Sequence, residues 1–406
     1  KTIKTIESAT EKSISSFAKL SLSLLFLLAV FLWTYSSHGK VPDNTFLIIG
    51  AIFGAYMALN IGANDVANNV GPSVGAKALT LTGAIIIAGI FESAGAIIAG
   101  GDVVNTIKSG IIDPNLITDK NSFIWAMTAG LLAGAVWLNF ATSIGAPVST
   151  THAIVGGVMG AGIASAGFSI LNWGSLFEIA SSWIISPLLG GIVAAGFLYF
   201  IKKQIVYKEN MLEQAQKFVP ILIAIMTWAF TTYLILKGLK QLINIGFYSA
   251  SGISILFAIV AYYLTKNSIE KNLSNLTNDR SSVNKLFTPA LIFGAALLSF
   301  AHGANDVSNA IGPLAAINDA IMHGGTSVQA SVPFWIMFVG AIGIVIGLVL
   351  YGPRLIKTVG SEITELDQMR AFSVAMATAV TVILASQLGL PVSSTHIAIG
   401  GVFGVG

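Results

Sequence analysis

The chain has 406 residues, of which 54% are hydrophobic and 10% are charged, and its formal net charge is +3. A soluble domain carries about 25% charged residues, so water is not the solvent for most of this surface. The charge is too small and dispersed for a nucleic-acid-binding stripe, and the lack of cysteine excludes disulfides, thiolate chemistry and cysteine metal sites. These properties indicate a protein embedded in a lipid bilayer.

Apolar runs long enough to cross a bilayer recur from one end of the chain to the other. A spanning helix needs roughly 20 mainly apolar residues. We therefore predict an all-α membrane protein with about twelve spans, the first of them a retained helix rather than a signal peptide because of its length. The predicted spans lie at residues 17–36, 46–62, 78–100, 123–142, 147–167, 176–201, 218–240, 246–265, 288–303, 332–351, 371–387 and 392–406.

Two long hydrophilic connections carry the densest positive charge. The positive-inside rule places both in the cytoplasm, and counting the spans places the amino terminus there too and the loop near residue 115 outside. A plasma or inner membrane is the expected location. The residues that carry this charge are Lys202, Lys203, Lys208 and Lys217 in one connection and Lys266, Lys271, Arg280 and Lys285 in the other.

Two motifs each occur twice, in the same order. Residues 62–72 (GANDVANNVGP) return at 303–313 (GANDVSNAIGP), and residues 145–152 (GAPVSTTH) return at 389–396 (GLPVSSTH). We call them the Asn-Asp motif and the Pro motif. They predict a tail with an extra helix at 1–43, a first repeat at 44–167, connecting helices and cytoplasmic loops at 168–286, and a second repeat at 287–406.

The predicted repeats have opposite orientations, because an odd number of predicted spans separates their starts. Inverted repeats with broken half-helices are typical of secondary transporters, whose substrate site lies near the bilayer midplane. The sequence therefore predicts a midplane site formed by both repeats.

The Asn-Asp motif places a carboxylate within an apolar stretch, where an ionised group costs several kcal/mol unless it is paired. No lysine or arginine stands in either motif, so a hard cation such as sodium is the expected partner, by analogy with calcium and magnesium. Helix capping is the alternative for such residues. The predicted sodium-binding residues are Asn64, Asp65, Asn305 and Asp306.

The Pro motif combines glycine and proline with hydroxyl side chains, and both features suit an anion. Glycine and proline interrupt one helix and begin another, whose unpaired N–H groups and positive dipole end attract negative charge. The alternative is that the hydroxyls bond to backbone carbonyls in a kinked helix. The residues predicted to bind the anion are Asn68, Asn309, Ser149, Thr150, Thr151, Ser393, Ser394 and Thr395, with no basic side chain among them.

Three histidines lie in or beside these motifs. His152 and His396 match each other, whereas Ile61 stands where the second repeat has His302. For all three we predict a packed, hydrogen-bonded neutral ring in preference to a proton relay.

Two further polar residues are secondary candidates for the site. Glu92 lies in an apolar run, and its counterpart in the second repeat is expected to be Met337. Either a coupling role or a carboxylate satisfied by neighbouring helices fits it. Gln387 stands just before the second Pro motif, opposite Ser143.

The paired segments Gly-Ala-Asn-Asp-Val-x-Asn and Pro-Val-Ser-x-Thr-His resemble the signatures of the PiT family of inorganic phosphate transporters. The resemblance spans both repeats, and it implies transport of phosphate coupled to sodium or protons, with sodium as co-substrate and no cofactor. Members of that family often carry an acidic residue before the second Pro motif, where this chain has Ala375.

The predicted function is secondary active import of phosphate with sodium by alternating access. The residues by themselves indicate a small anion and a cation, so proton coupling or another oxyanion such as sulfate stays open, as does an anion channel. A membrane-embedded enzyme is disfavoured, since no His-Glu-x-x-His or comparable metal spacing occurs. The expected partners are phosphate, sodium and lipid, without nucleic acid, and a homo-oligomer is compatible with the sequence.

Overall fold

The structure is a computed structural model that describes residues 2–41, 44–100, 111–113, 116–117, 119–238, 245–271, 276–323, 332–387 and 393–406. For residues 2–14, 99, 237–238, 323 and 383–387 the description covers the backbone alone. Within these ranges the chain is helical, and the pairing of Ile112 with Leu171 is an isolated bridge rather than a strand. The predicted all-α class is confirmed.

Fourteen α-helices lie within the described residues. Nine described segments are long and apolar enough to cross a bilayer. The predicted spans at 147–167, 371–387 and 392–406 fall on α6, α13 and α14, which are not among the nine, so the count of about twelve is not confirmed. The helices are α1 (Thr2–His38), α2 (Asn44–Asn64), α3 (Ala67–Gly75), α4 (Leu81–Ala99), α5 (Lys120–Ile144), α6 (Thr150–Ala166), α7 (Trp173–Ile201), α8 (Met211–Gly238), α9 (Phe247–Lys271), α10 (Arg280–Lys285), α11 (Thr288–His323), α12 (Phe334–Lys357), α13 (Gln368–Gln387) and α14 (Ser394–Val405).

Each helix that carries an Asn-Asp motif packs against a helix of the other repeat, an arrangement that we call crosswise packing. A Cβ atom added to Gly62 of α2 would lie 1.8 Å from the Ile344 carbonyl oxygen of α12, and one added to Gly303 of α11 would lie 2.1 Å from that of Glu92 in α4. Glycine at these positions lets two backbones approach, as small residues do between membrane helices. This mirrored packing supports the predicted duplication.

The mirrored contacts also correct one assignment made from the sequence. Gly62 and Gly303 hold the same motif position, so Ile344, which contacts the first, corresponds to Glu92, which contacts the second. The expected counterpart Met337 is therefore wrong. The sequence comparison was misled because the connection after the motif is longer in the second repeat.

The two Asn-Asp motifs differ in backbone shape although their sequences nearly match. In the first repeat α2 ends at Asn64 and α3 begins at Ala67, so the chain bends at Asp65. In the second repeat the motif lies inside the continuous helix α11. The broken helix predicted for the site is therefore present at one Asn-Asp motif and not at the other.

Candidate functional site

The four motif segments converge on one buried site. Asp65 and Asp306 come from the two Asn-Asp motifs and are 1% and 6% exposed. The amino-terminal residues of α6 and α14, which end the two Pro motifs, contact both carboxylates through hydroxyl groups. The residues that the sequence singles out for sodium and for phosphate therefore lie together.

Asp65 accepts hydrogen bonds from side chains of both repeats. Thr150 Oγ1 donates to its Oδ2 at 2.7 Å, and Thr395 Oγ1 donates to its Oδ1. Asn68, one helical turn further along, donates from Nδ2 to the same Oδ1 at 2.9 Å. The aspartate thus has a hydroxyl partner from its own repeat, one from the other repeat, and an amide from its own motif.

Asp306 has the same surroundings with the two repeats exchanged. Ser394 Oγ of its own repeat and Thr151 Oγ1 of the other each donate to it at 3.3 Å. Asn309 donates from Nδ2 to Asp306 Oδ1 at 2.9 Å. The two carboxylates are therefore related as expected for a site formed by two copies of one motif pair.

The amide oxygen of Asn68 is buried and has no hydrogen-bond partner among the described residues. The amide nitrogen donates to the Asp65 carbonyl, to Asp65 Oδ1 and to Thr395 Oγ1. An unsatisfied buried acceptor costs about 1–3 kcal/mol. Because the free atom is an acceptor beside a carboxylate, it suits a cation better than the phosphate to which the sequence assigned Asn68.

Both Pro motifs end in a capped helix start. α6 begins at Thr150 with Ser149 as its N-cap, and α14 begins at Ser394 with Ser393 as its N-cap. Each capping oxygen accepts from the backbone N–H three residues on at 3.3 Å. The predicted new helices are confirmed, and the hydroxyls that contact the aspartates belong to the two motif positions after the cap.

Asn64 anchors the first Pro motif rather than facing an open space. It is fully buried and lies at the end of α2. Its amide nitrogen and amide oxygen are both used within the protein, so it is not free for a cation in this conformation. Its partners are Thr142 Oγ1 and Ala146 O, each at 3.0 Å, and the Val148 N–H at 2.9 Å.

His302 stands between three buried carboxylates. Its Nδ1 lies 2.8 Å from Glu92 Oε2, and its Nε2 lies 3.2 Å from Asp306 Oδ2 and 3.5 Å from Asp65 Oδ2. Glu92, 1% exposed, also accepts from Asn69 Nδ2 at 2.9 Å. A protonated ring donates from both nitrogens and a neutral ring from one. His302 therefore does more than pack, since Nδ1 bonds to Glu92 while Nε2, which has no hydrogen-bond partner among the described residues, lies within 3.5 Å of both aspartates.

Asn69, Glu92 and His302 form a group that we call the polar triad. Their counterparts in the other repeat are all apolar: Ala310, Ile344 and Ile61. Alignment of the two Asn-Asp motifs shows the differences at Asn69 and His302. The bond between Asn69 and Glu92 becomes visible only in the packed structure. The triad is where the two halves of the site diverge.

His152 and His396 contact each other through their rings. Their rings lie 4.4 Å apart between centroids in an edge-on arrangement, and the His152 ring lies 4.3 Å from that of Trp183. These contacts agree with the packed role predicted for the two histidines.

A cleft with about 370 Å³ of space, including its open side, reaches the site. It is lined mainly by α8, α11 and α13, and the site residue Ser394 of α14 also lines it. Asn305 donates from Nδ2 to Tyr233 Oη at 3.1 Å in this cleft. Tyr233 belongs to α8, outside both predicted repeats, and sequence analysis missed it because α8 carries no motif.

Arg354 is a basic residue that the sequence analysis also missed. It lies in α12, is exposed, and donates from Nη1 to the carbonyl of Ser143, just before the first Pro motif. The expectation that no basic side chain lies near the motifs is wrong here, because α12 brings this residue across from the second repeat. The side chain of Gln387 lies outside the described residues.

Comparison with known proteins assigns the chain to a family. A protein of Helicobacter pylori J99 named "Putative phosphate permease" is 54% identical over 100% of this chain and 76% of its own length. One of Thermococcus kodakarensis with the same description is 39% identical over 89% of each chain. A solved structure, "The sodium-dependent phosphate transporter", matches with a TM-score of 0.81 and 36% identity over 89% of each chain. The profile of the phosphate transporter family matches residues 61–406, so this chain is a membrane protein of the phosphate transporter family and not an enzyme.

Proposed function

We propose that this chain imports inorganic phosphate together with sodium by exposing one site alternately to the two sides of the membrane. Its family supports phosphate as the substrate. The observation that carries the coupling is the pair of buried aspartates, whose common ion-pair partner among the described residues is His302 alone. Such a pair needs further positive charge when an anion binds.

The proposed sodium sites are centred on the two aspartates. Sodium prefers carboxylate, amide, hydroxyl and carbonyl oxygens, as other hard cations do. At Asp65 these are the carboxylate, the unpartnered Asn68 Oδ1 and the hydroxyls of Thr150 and Thr395. The mirrored set at Asp306 supports a second sodium.

Asn64 and Asn305 remain sodium candidates of unequal availability. Asn64 becomes available when its bonds to the first Pro motif break, whereas Asn305 already faces the cleft. The two equivalent asparagines would then bind in different states of the cycle.

The proposed phosphate position lies at the inner end of the cleft, between the amino termini of α6 and α14. Unpaired N–H groups and the positive dipole ends of these helices attract an anion. Thr151 and Ser394 contribute hydroxyls whose bonds to Asp306, at 3.3 Å each, are longer than the Thr150–Asp65 bond at 2.7 Å. These longer bonds are the ones an arriving phosphate oxygen replaces most readily.

The electrostatics make sodium and phosphate depend on each other. Phosphate next to two carboxylates is strongly repelled where the dielectric constant is low. Two sodium ions at the aspartates reverse this repulsion. Each ion then strengthens the binding of the other, which is the basis of coupled transport.

Alternating access is supported by the unequal closure of the two halves. The cleft opens among α8, α11 and α13, while Asn64 of α2 fastens the connection between α5 and α6 within the first repeat. Exchange of these two arrangements between the repeats 44–167 and 287–406 would move the opening to the opposite side. Inverted repeats make such an exchange geometrically natural.

The proposed orientation has the amino terminus and the connection around Lys208 in the cytoplasm of a cell whose plasma membrane holds the protein. The structure does not describe residues 114, 115, 118 and 272–275 of the loops near residues 115 and 275. Because the chain lacks cysteine, a cysteine introduced at Lys208 reports its side cleanly. We expect no labelling from outside intact cells, and labelling there would reverse the orientation.

Uptake into liposomes tests the proposed function. Radiolabelled phosphate should accumulate when sodium is high outside and not when potassium replaces it, and excess sulfate should not compete. Phosphate counterflow against unlabelled phosphate inside separates a carrier from a channel. Equal uptake with and without the sodium gradient would contradict sodium coupling.

Proton coupling is the second candidate, and the polar triad favours it specifically. A glutamate bonded to a histidine that faces both aspartates offers a path for a proton where sodium is absent. An imposed pH gradient without sodium should then drive uptake. Under the sodium proposal the same gradient leaves uptake at the background level.

A further inference from the structure

The guanidinium of Arg354 lies directly on the start of the first Pro motif. Its Nη1 donates to the Ser143 carbonyl. A Cβ atom on Gly145 would lie 3.2 Å from Arg354 Nε. The charged side chain thus contacts the two residues at which α5 ends and the connection to α6 begins.

The conformation of Gly145 makes this contact available. Its φ of +79° is in the left-handed region, and its N–H and that of Ala146 return to the carbonyls of Thr142 and Ala141. Such a glycine end satisfies some of the last helix carbonyls and leaves others open. The Ser143 carbonyl is one of those left open, and it accepts the hydrogen bond from Arg354.

The same connection is held from its inner side by Asn64, which bonds to Ala146 and Val148. Directly after the connection come Thr150 and Thr151, which contact the aspartates. Residues 143–149 therefore lead into the site without lining the cleft, and they are bonded both to the buried amide of Asn64 and to the exposed guanidinium of Arg354.

We propose that Arg354 holds this connection closed while the cleft is open, and releases it when the site turns to the other side. The inference rests on the alternating access proposed above. Arg354 belongs to α12 and the connection joins α5 to α6, so a movement of the connection relative to α12 breaks the contact. Arg354 is then a positioning residue of the transport cycle that does not itself touch phosphate or sodium.

Two cysteine reporters on the cysteine-free chain test the inference in detergent, where a polar maleimide reaches both faces. Ala146→Cys reports the covered connection, and Ala379→Cys reports the cleft, which Ala379 lines. Loss of a hydrogen bond from a charged group shifts a two-state balance by about tenfold. With Arg354→Ala we expect labelling at 146 to become about tenfold faster and labelling at 379 to slow.

Opposite changes in the labelling rates at positions 146 and 379 distinguish this role from a structural one, since a loosened fold would speed labelling at both reporters. Lys357→Ala is the matched control, because Lys357 is a basic residue one turn further along α12 that pairs with Glu362 at 3.9 Å. It should change neither rate. Arg354→Lys keeps the charge and should give a smaller change with the same signs, which preserves the test if the alanine variant does not fold.

Labelling of both reporters with and without sodium and phosphate distinguishes failure of this inference from failure of the proposed function. If both reporters respond to sodium and phosphate while Arg354→Ala changes neither rate, the role of Arg354 is refuted and alternating access stands. If neither reporter responds to the ions, alternating access itself is refuted. Faster labelling at both positions with Arg354→Ala also overturns the inference.

Discussion

The two halves of the site are alike at the carboxylates and unlike around them. Asp65 and Asp306 each accept from a hydroxyl of their own repeat, a hydroxyl of the other repeat and an asparagine one turn along. The polar triad, in contrast, has apolar residues at all three mirrored positions. Duplication explains the equivalent surroundings of the two carboxylates, and the triad makes the resulting charge distribution unequal.

The halves also differ in closure. Asn64 is fully buried, with two bonds to the first Pro motif and one to Thr142 of α5, whereas Asn305 is partly exposed and bonds to Tyr233 in the cleft. A site built from equal copies has no intrinsic preference for one side. Under the proposed alternating access, the unequal partners of these two asparagines are the contacts that we expect to change when the opening moves.

The strongest way to break the likeness is to remove one carboxylate at a time. We expect Asp65→Asn and Asp306→Asn each to lower sodium-driven phosphate uptake by about 100-fold or more, because each removes a charge that sodium needs. Uptake into proteoliposomes from protein that elutes as a single peak measures this. Asp119→Asn, at the exposed N-cap of α5, is the control and should transport normally. Normal uptake by either site variant would remove that aspartate from the sodium sites.

The mirrored packing can be broken at its two glycines. Gly62→Ala and Gly303→Ala each place a methyl group against a backbone carbonyl that has no room for it. Overpacking costs about 1–3 kcal/mol or more, so both variants should unfold at clearly lower temperature than the parent. Gly156→Ala, where a Cβ meets nothing within 4 Å, is the matched control. A parental unfolding temperature for Gly62→Ala or Gly303→Ala would contradict the crosswise packing.

The polar triad sharpens the comparison, since its members touch and should act as one unit. We expect Glu92→Gln and His302→Gln each to reduce uptake by about 10- to 100-fold. The double variant should retain as much uptake as the single variant with the lower uptake, because the effects of substitutions at contacting residues are not additive. Ile344→Val at the mirrored position is the control and should have little effect. Additive losses in the double variant would show that the two residues act separately.

Tyr233 offers the smallest and most specific test of the open half. Its hydroxyl lies in the cleft and accepts from Asn305. Removing one hydrogen bond costs about 0.5–1.5 kcal/mol, so Tyr233→Phe should weaken phosphate binding at saturating sodium by about 3- to 10-fold. Tyr351→Phe, which removes a hydroxyl bonded to Ser23 away from the site, is the control. Equal binding by Tyr233→Phe and the parent would exclude Tyr233 from the anion path.

Much of this site could be predicted from the sequence because the chemistry is concentrated in two duplicated motifs. The pairing of Asp65 with Asn68 follows from helical spacing, and the helix starts at Thr150 and Ser394 follow from proline and serine signals. Duplication also predicts that the copies meet. Local patterns of this kind are readable because they depend on neighbours in the chain.

The residues that were missed reach the site through tertiary packing. Tyr233 and Arg354 belong to helices without motifs, so no local signal marks them. Ile344 corresponds to Glu92 only through the crosswise contacts of Gly62 and Gly303. The role of His302 was understated for the same reason, since Glu92 is far from it in the sequence and 2.8 Å away in the fold.

Calorimetric titration of phosphate at several sodium concentrations tests the central claim most directly. If sodium at the two aspartates supplies the charge that phosphate needs, phosphate affinity should rise by about 5- to 150-fold from no sodium to saturating sodium, the usual range of coupling between two ligands. Asp65→Asn should abolish most of this rise. A phosphate affinity that does not change with sodium would contradict the account.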